Sequence, residues 1–250
     1  MSLSTDQDFN SFEFKGFRIF TTPYYKDKIN ELINNFDKKC NKYSGRASLY
    51  QFDNFIIREY LHGGVFRGLF KNNFISENRF LKEFQIHHYL NSVNFPTTEV
   101  VAIISKREIF AHGFIVTINF ESLDMISFLK ENLPKRDIAN LLFKMGEISK
   151  SLHNHNIIHS DLHLKNFITK DNIVKLIDFD KSFYSDDLYY KKRDIERFMR
   201  SLKKYNHYNS PQITSEMREK FFEGYGVKFN ITSSLLSDIK NRISWKLNHK

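Results

Sequence analysis

Two short segments hold most of the residues whose types and spacing could do chemistry. The first is Ile157-Ile158-His159-Ser160-Asp161-Leu162-His163-Leu164-Lys165-Asn166 and the second is Lys175-Leu176-Ile177-Asp178-Phe179-Asp180. The first puts a carboxylate and an amide on one loop after a helix. The second puts a carboxylate at the end of an apolar strand. Phosphoryl transfer from ATP asks for little else: a carboxylate near the acceptor hydroxyl, oxygen ligands for Mg²⁺, and donors or cations for the phosphates. Asp161 is then the candidate base, taking or orienting the acceptor's proton. Asn166 and Asp178 are the candidate oxygen ligands of Mg²⁺, a hard cation. Either triplet arises by chance in many chains; both together, in this order and after this helix, are specific.

Neighbouring residues narrow the class. Asp180 stands where a protein kinase has the glycine of D-F-G, and no A-P-E follows. Both features argue against an ordinary protein kinase with a switchable activation segment. His163, two residues after Asp161, fits the pattern of small-molecule phosphotransferases. His163 and Asp180 read either as contacts to substrate or metal-bound water, or as loop-stabilising hydrogen-bond partners. His159 reads as a prop for the loop. His153 and His155 read as cations at a helix end, since no cysteine or carboxylate completes a metal site around them.

The first half supplies a cation and a partner for it. Arg58 lies in the strand-like run Phe55-Ile56-Ile57-Arg58-Glu59-Tyr60, and Glu83 lies on the helical stretch that follows. A kinase pairs a strand cation with a helix glutamate to hold the ATP phosphates. The usual cation is lysine, but arginine bridges phosphate and carboxylate bidentately. The segment Tyr43-Ser44-Gly45-Arg46-Ala47-Ser48 sits just before the first hairpin and reads as a phosphate cover. Gly45, Arg46 and Ser48 are its candidate contacts, although it lacks G-x-G-x-x-G.

The elements that must position these groups follow from periodicity. Residues 14 to 22 alternate as a strand, and Lys26 to Phe36 reads as a short amphipathic helix. Ser48 to Phe52 and Phe55 to Tyr60, parted by Asp53-Asn54, read as a hairpin. A glycine-bearing loop runs from His62 to Phe70. A helix follows from Ser76 to Leu90, with Phe80, Phe84, Ile86, His87 and Leu90 on one apolar side. Strands are expected at Val100 to Ser105 and Phe114 to Ile118. Pro134 opens the clearest helix, where Ile138, Leu141, Leu142, Met145, Ile148 and Leu152 recur at three- and four-residue spacing. A loop, a strand from Ile173 to Ile177 and a mostly helical last third complete the chain. The expected fold is α+β and protein-kinase-like in two lobes. The N-terminal extension and strand-rich lobe span 1–118, and the helical lobe with the catalytic and metal-binding loops spans 119–250.

Composition sets the outer bounds. The chain has 250 residues, 41% hydrophobic and 27% charged, enough for a packed core and against disorder. Its 26 Phe and single Trp read as core filling rather than as a stacking platform for bases. Cys40 is the only cysteine, so no intrachain disulfide forms, in keeping with a reducing compartment. The first residues lack the basic and apolar regions of a signal peptide, and no apolar run is long enough for a membrane span. The net charge of +9 invites anionic partners. Much of it falls between Lys191 and Lys204, which reads either as a solvated helix face or as a docking surface.

With these residues in view, the sequence resembles the lipopolysaccharide core kinases, and most closely the Kdo (3-deoxy-D-manno-octulosonic acid) kinases. The likeness lies in Arg58-Glu59-Tyr60-Leu61-His62-Gly63-Gly64-Val65-Phe66-Arg67-Gly68-Leu69-Phe70-Lys71-Asn72, in Phe80-Leu81-Lys82-Glu83-Phe84-Gln85 and in Ile177-Asp178-Phe179-Asp180-Lys181. The Ser44-Gly45-Arg46 turn and the arginine at Arg58 also fit, and the likeness spans roughly residues 42 to 205. It departs at His62, where the family usually has arginine, and at Ala47-Ser48, which replace a turn richer in hydroxyls and glycine. The resemblance implies transfer of the ATP γ-phosphate to a Kdo hydroxyl of an anionic lipid A precursor. It also implies a cytoplasmic enzyme, peripheral on the cytoplasmic face of a Gram-negative inner membrane. The basic residues from Lys191 to Lys204 would favour docking there, at about 1 kcal/mol each. His62, Arg67 and Lys71, interleaved with Phe66, Leu69, Phe70 and Phe74, offer a second contact or a linker packing on the small lobe.

Other readings stay open. The acceptor could be a heptose, an aminoglycoside or a choline-like molecule; a cationic acceptor would call for an acidic pocket, which the basic balance disfavours. A protein kinase ranks below these. A nucleic-acid-binding module rests on charge alone, since no helix-turn-helix, zinc or RNP-type pattern is present, so no nucleic-acid partner is expected.

Overall fold

The computed structural model describes residues 10–39, 41–42, 49–61, 74, 77–107, 110–131, 133–210 and 213–226. The candidate phosphate cover (Gly45, Arg46, Ser48), the glycine-bearing loop after Leu61 and Cys40 lie outside the described residues. The chain divides into two compact units. One comprises Met1–Asn94 with Thr98–Phe120, the other Phe95–Thr97 with Glu121–Lys250.

The first unit is built on a seven-stranded antiparallel sheet. Its strands are β1 (Asn10–Phe14), β2 (Phe17–Thr21), β3 (Asn41–Lys42), β4 (Leu49–Phe52), β5 (Phe55–Glu59), β6 (Val100–Arg107) and β7 (Ala111–Ile118). They run in the order β1-β2-β6-β7-β5-β4-β3. The single strand expected over residues 14 to 22 is instead a hairpin. Lys15 and Gly16 both take positive φ (49° and 78°), the two-residue turn whose twist suits flanking strands. The strand expected at Phe114 begins earlier, at Ala111. Ala111-His112-Gly113 has weak strand propensity, but Gly113 makes room for Phe80, since a Cβ there would stand 2.6 Å from the Phe80 ring.

Helix α1 (Lys26–Lys39) and helix α2 (Asn78–Ser92) cover opposite faces of this sheet. Side chains of adjacent strand residues point to opposite faces. Accordingly Ile104 and Val116 join Ile29 and Leu32 of α1, whereas their neighbours Ile103 and Ile115 join Phe80 and Phe84 of α2. The apolar side read for α2 is the buried one: Phe80, Phe84, Ile86, His87 and Leu90 are all inside. Each such apolar side chain contributes roughly 1.5–3 kcal/mol on burial.

The second unit is mainly helical. It contains α3 (Met125–Leu129), α4 (Lys135–Asn154), α5 (Leu188–Tyr208) and α6 (Ser215–Tyr225). Pro134 occupies the N-cap of α4, and the expected stripe from Ile138 to Leu152 is buried along it. Helices α4 and α6 meet backbone to backbone. A Cβ on Gly146 would overlap the Phe221 carbonyl, and one on Gly224 would overlap the Phe143 carbonyl.

Two small sheets carry the loops of interest. Strands β8 (Leu123–Asp124), β10 (Phe167–Lys170) and β11 (Ile173–Leu176) form one, with β10 central. Strands β9 (Ile157–Ile158) and β12 (Phe183–Tyr184) pair antiparallel in the other. Strand β10 falls where a loop was expected. The turn joining β10 to β11 is Asp171-Asn172, both at positive φ (50° and 63°), a sequence-readable hairpin signal. Among the described residues, no helix is long and apolar enough to cross a membrane.

Candidate active site

In the first unit the site is an ion pair placed by two periodicities. Ile57 faces α1, so Arg58, the next residue of β5, faces α2. On α2, Glu83 lies one turn from Phe80 and so shares the buried side. The two meet with Arg58 Nη2 at 2.6 Å from Oε1 and 2.8 Å from Oε2 of Glu83. The Glu83 carboxylate is almost wholly buried, whereas Arg58 keeps a quarter of its side chain exposed. Its guanidinium also lies 5.1 Å from the Tyr60 ring centroid, a cation–π distance. The expected cation and its glutamate are therefore joined.

In the second unit the loop His159–Asn166 leaves β9 and is held from three sides. His159, fully buried, accepts the Asp161 N–H on Nδ1 at 3.3 Å and donates from Nε2 to the Ile177 carbonyl at 3.1 Å. It thus props the loop, as its sequence position suggested, and ties it to the strand that leads to Asp178. From below, Asp194 of α5 accepts the N–H groups of His159 (2.7 Å) and Ser160 (2.9 Å). Farther along α5, Ser201 Oγ accepts the Leu164 N–H at 3.1 Å. Asp194, Arg197 and Ser201 recur at i, i+3 and i+7, one helix face directed at the loop.

Asn166 and Asp178 are brought together by hairpin register. Phe167 pairs with Leu176 across β10 and β11, and the next step is the Ile177 N–H donating to the Asn166 carbonyl at 2.9 Å. Asp178 follows at once, at φ 72°, and Ser160 sits at φ 61°. Left-handed backbone costs a non-glycine residue about 1–2 kcal/mol, and such strain concentrates at functional sites. Phe179 anchors Asp178: it is fully buried, 5.3 Å from the His159 ring and 6.4 Å from the Phe95 ring.

The Asn166 Nδ2 donates to the Asp161 carbonyl at 3.1 Å, which sets the amide and makes Oδ1 its candidate ligand atom. One amide oxygen and one carboxylate are a fitting donor set for Mg²⁺, which takes one or two protein oxygens and completes its shell with phosphates and water. Among the described residues, no group of three His, Cys, Asp or Glu is gathered as a self-sufficient metal site.

Asp161 carries the densest electrostatics. Its Oδ2 lies 2.6 Å from Lys181 Nζ, and its Oδ1 lies 2.5 Å from Arg197 Nη2 and 3.5 Å from His163 Nε2. Burial pushes its pKa up, but the Lys181 hydrogen bond and the charges of Arg197, Lys181 and His163 outweigh that and hold it below the ordinary range. Burial lowers the His163 pKa, against the pull of Asp161, and Arg197 lowers it further.

Sequence reading identified Asp161, Asn166, Asp178, Arg58 and Glu83, and the structure gathers the first three in one unit and the last two in the other. It missed Asp194, Arg197, Ser201 and Lys181. The readable signal was a polar triplet at helical spacing inside an otherwise apolar helix face, obscured by the basic run around it. His153 lies in the last turn of α4, the helix end read from the sequence. It is buried, with Nε2 at 3.3 Å from Asp194 and Nδ1 at 2.7 Å from the Tyr225 hydroxyl. Burial, with the Asp194 charge, pushes the Tyr225 hydroxyl up to about 12.

A strand cation paired to a helix glutamate, a catalytic loop clamped on a helix and a Asp-Phe-Asp turn define an α+β, protein-kinase-like phosphotransferase. The chain belongs to the lipopolysaccharide kinase (Kdo/WaaP) family, whose model matches residues 33–225. It is thus a phosphotransferase of that family, and membership implies ATP use and typically a divalent metal. The chain is 28% identical over 183 residues to the 3-deoxy-D-manno-octulosonic acid kinase of Vibrio parahaemolyticus, covering 67% of this chain and 75% of that one. It is also 30% identical over 203 residues to the EKC/KEOPS complex subunit BUD32 of Enterocytozoon bieneusi, covering 78% of this chain and 93% of that one. A probable bifunctional tRNA threonylcarbamoyladenosine biosynthesis protein of Methanocaldococcus jannaschii is 30% identical over 124 residues, 47% of this chain and 22% of that one. Among solved structures, the Cydia pomonella granulovirus kinase PK-1 overlaps with a TM-score of 0.42 at 15% identity, over 64% of this chain and 57% of that chain.

Proposed function

We propose that this chain transfers the γ-phosphoryl group of ATP to a Kdo hydroxyl of an anionic lipopolysaccharide precursor. The observation that carries the reading is Asp161, ringed by Lys181, Arg197 and His163 on a loop that Asp194 clamps. A base set among cations suits an acidic acceptor and disfavours a cationic one such as an aminoglycoside or choline. The similarity to the Vibrio kinase supports the same acceptor class.

In this reading Arg58, steadied by Glu83, neutralises charge on the ATP phosphates. Asn166 and Asp178 would hold Mg²⁺, which when bound screens the phosphate oxygens. Asp161 orients the acceptor hydroxyl and takes its proton as the bond to the γ-phosphorus forms and the bond to the β–γ bridging oxygen breaks, leaving ADP. A lipid-linked acceptor places the enzyme peripherally on the cytoplasmic face of an inner membrane. The basic residues of α5 would favour an anionic surface there, at about 1 kcal/mol each.

The test is transfer of labelled γ-phosphate from ATP to a Kdo-bearing lipid A precursor in the presence of Mg²⁺. Labelled precursor is expected. ATP binding with no label on the precursor would refute this acceptor. The similarity to BUD32 over nearly its whole length favours a second reading, an ATP-using subunit of a larger assembly. That reading expects no sugar phosphorylation by the isolated chain and ATP turnover only with partner proteins.

A further inference from the structure

We infer that Arg197 and Lys181 form a carboxylate clamp for the acidic sugar acceptor and set the specificity of the site. The inference rests on the proposed transfer to Kdo, an octulosonic acid, and assigns the residues that read its acid group.

One cation is enough to balance one carboxylate, yet Asp161 has two, brought from different elements. Lys181 follows the Asp178-Phe179-Asp180 turn, and Arg197 comes from α5. Both are more exposed than the group they hold: the side chains of Lys181 and Arg197 are 55% and 41% accessible, against 16% for Asp161. The cations therefore keep exposed surface while in contact with the carboxylate, available to an acceptor that comes to Asp161.

The surroundings add to the positive field. Arg200, one turn along α5 from Arg197, has its pKa lowered by burial and by the charges of Arg197 and Arg193, with only Glu196 opposing. Its distance to Glu196 is a loose 3.9 Å. Cations that repel one another beside a base gain from an incoming anion. For a neutral acceptor the same cations would only weaken Asp161 as a base. An acidic acceptor can instead take Arg197 and Lys181 onto its own carboxylate as its hydroxyl comes to Asp161. Arginine fits this task because its planar fork matches a carboxylate bidentately.

The experiment compares two acceptors, a Kdo-bearing lipid A precursor and the same precursor with the Kdo carboxyl converted to a carboxamide. The wild type should favour the acid by about 100-fold in kcat/KM, as loss of a paired interfacial charge commonly costs. Arg197→Ala and Lys181→Met should each shrink that ratio to a few-fold, mainly by raising KM for the acid, and Arg197→Lys should keep part of it. Thermal melting and ATP affinity near wild-type values show that the variants are folded. Equal use of acid and carboxamide by the wild type overturns the clamp while leaving the kinase reading intact. A full acid preference retained in both Arg197→Ala and Lys181→Met overturns it equally. Transfer to neither acceptor takes down the Kdo reading and the clamp with it.

Discussion

Arg58 presents one terminal nitrogen to both carboxylate oxygens of Glu83, at 2.6 and 2.8 Å, joining a strand to a helix 25 positions away. The two ends are not equivalent, because Glu83 is buried and Arg58 reaches solvent. Removing the cation from a buried carboxylate costs about 3–5 kcal/mol, more than removing the anion from a cation that water can reach. Arg58→Met should therefore destabilise the protein more than Glu83→Gln in urea melts. Both should weaken ATP binding at least about tenfold. Equal destabilisation by the two would contradict the burial asymmetry.

Asp194 touches no reacting atom in this account, yet it holds the amides on either side of His159. Asp194→Asn keeps one acceptor oxygen and loses the charge. It should lower kcat by about 10²-fold with little change in KM for ATP, since a small misplacement of a catalytic group is costly. A change confined to KM would instead point to a binding role.

His87 gives stability a pH dependence. It is buried, donates Nε2–H to the Thr98 carbonyl at 2.8 Å, and has its pKa lowered to about 4 by burial, with Arg58 and His88 adding to the effect. The unfolded chain binds this proton near pH 6.5, so stability is full above that value and falls as pH drops from 6.5 to 4. The loss amounts to about 3 kcal/mol, at 1.36 kcal/mol per unit. His87→Leu should flatten that slope in melts between pH 7.5 and 4. The Thr98 carbonyl keeps its bond from Asn91 Nδ2 at 2.9 Å, so the variant should still fold. An unchanged slope would remove His87 from the account.

Gly146 and Gly224 let α4 and α6 touch at the backbone. Gly146→Ala should destabilise the protein by about 1–3 kcal/mol despite alanine's better helix propensity. The Gly146→Ala/Gly224→Ala double variant should cost less than the sum, because the first helix displacement makes room for the second methyl. Strict additivity would indicate two independent contacts.

The parts of this fold that were legible in the sequence are those governed by local period. The α4 stripe, the buried side of α2 and the β4–β5 hairpin repeat every two or three to four residues, and their burial needed no tertiary information. The β1–β2 hairpin and strand β10 escape a reading of hydrophobic alternation alone, which runs across two-residue turns that local residue types do signal, Lys15-Gly16 and Asp171-Asn172, both with positive φ. Of the site, the groups in contiguous motifs could be read: Asp161, Asn166 and Asp178 follow one another within a short stretch. Asp194 and Arg197 could not, because their importance lies in which face of α5 meets the loop. Within a run that also holds Lys191, Lys192, Arg193 and Arg200, charge alone does not separate them.

The central claim is that Asp161 serves the acceptor while Asp178 and Asn166 serve the nucleotide. The most direct measurement follows phosphoryl transfer to the Kdo-bearing precursor and ATP affinity side by side in wild type, Asp161→Asn and Asp178→Ala. The account predicts that Asp161→Asn lowers transfer by about 10²–10⁴-fold, the usual worth of a positioned base, with ATP affinity kept. Asp178→Ala should lose transfer and Mg²⁺-dependent ATP binding together. Transfer by Asp161→Asn at close to the wild-type rate would contradict it.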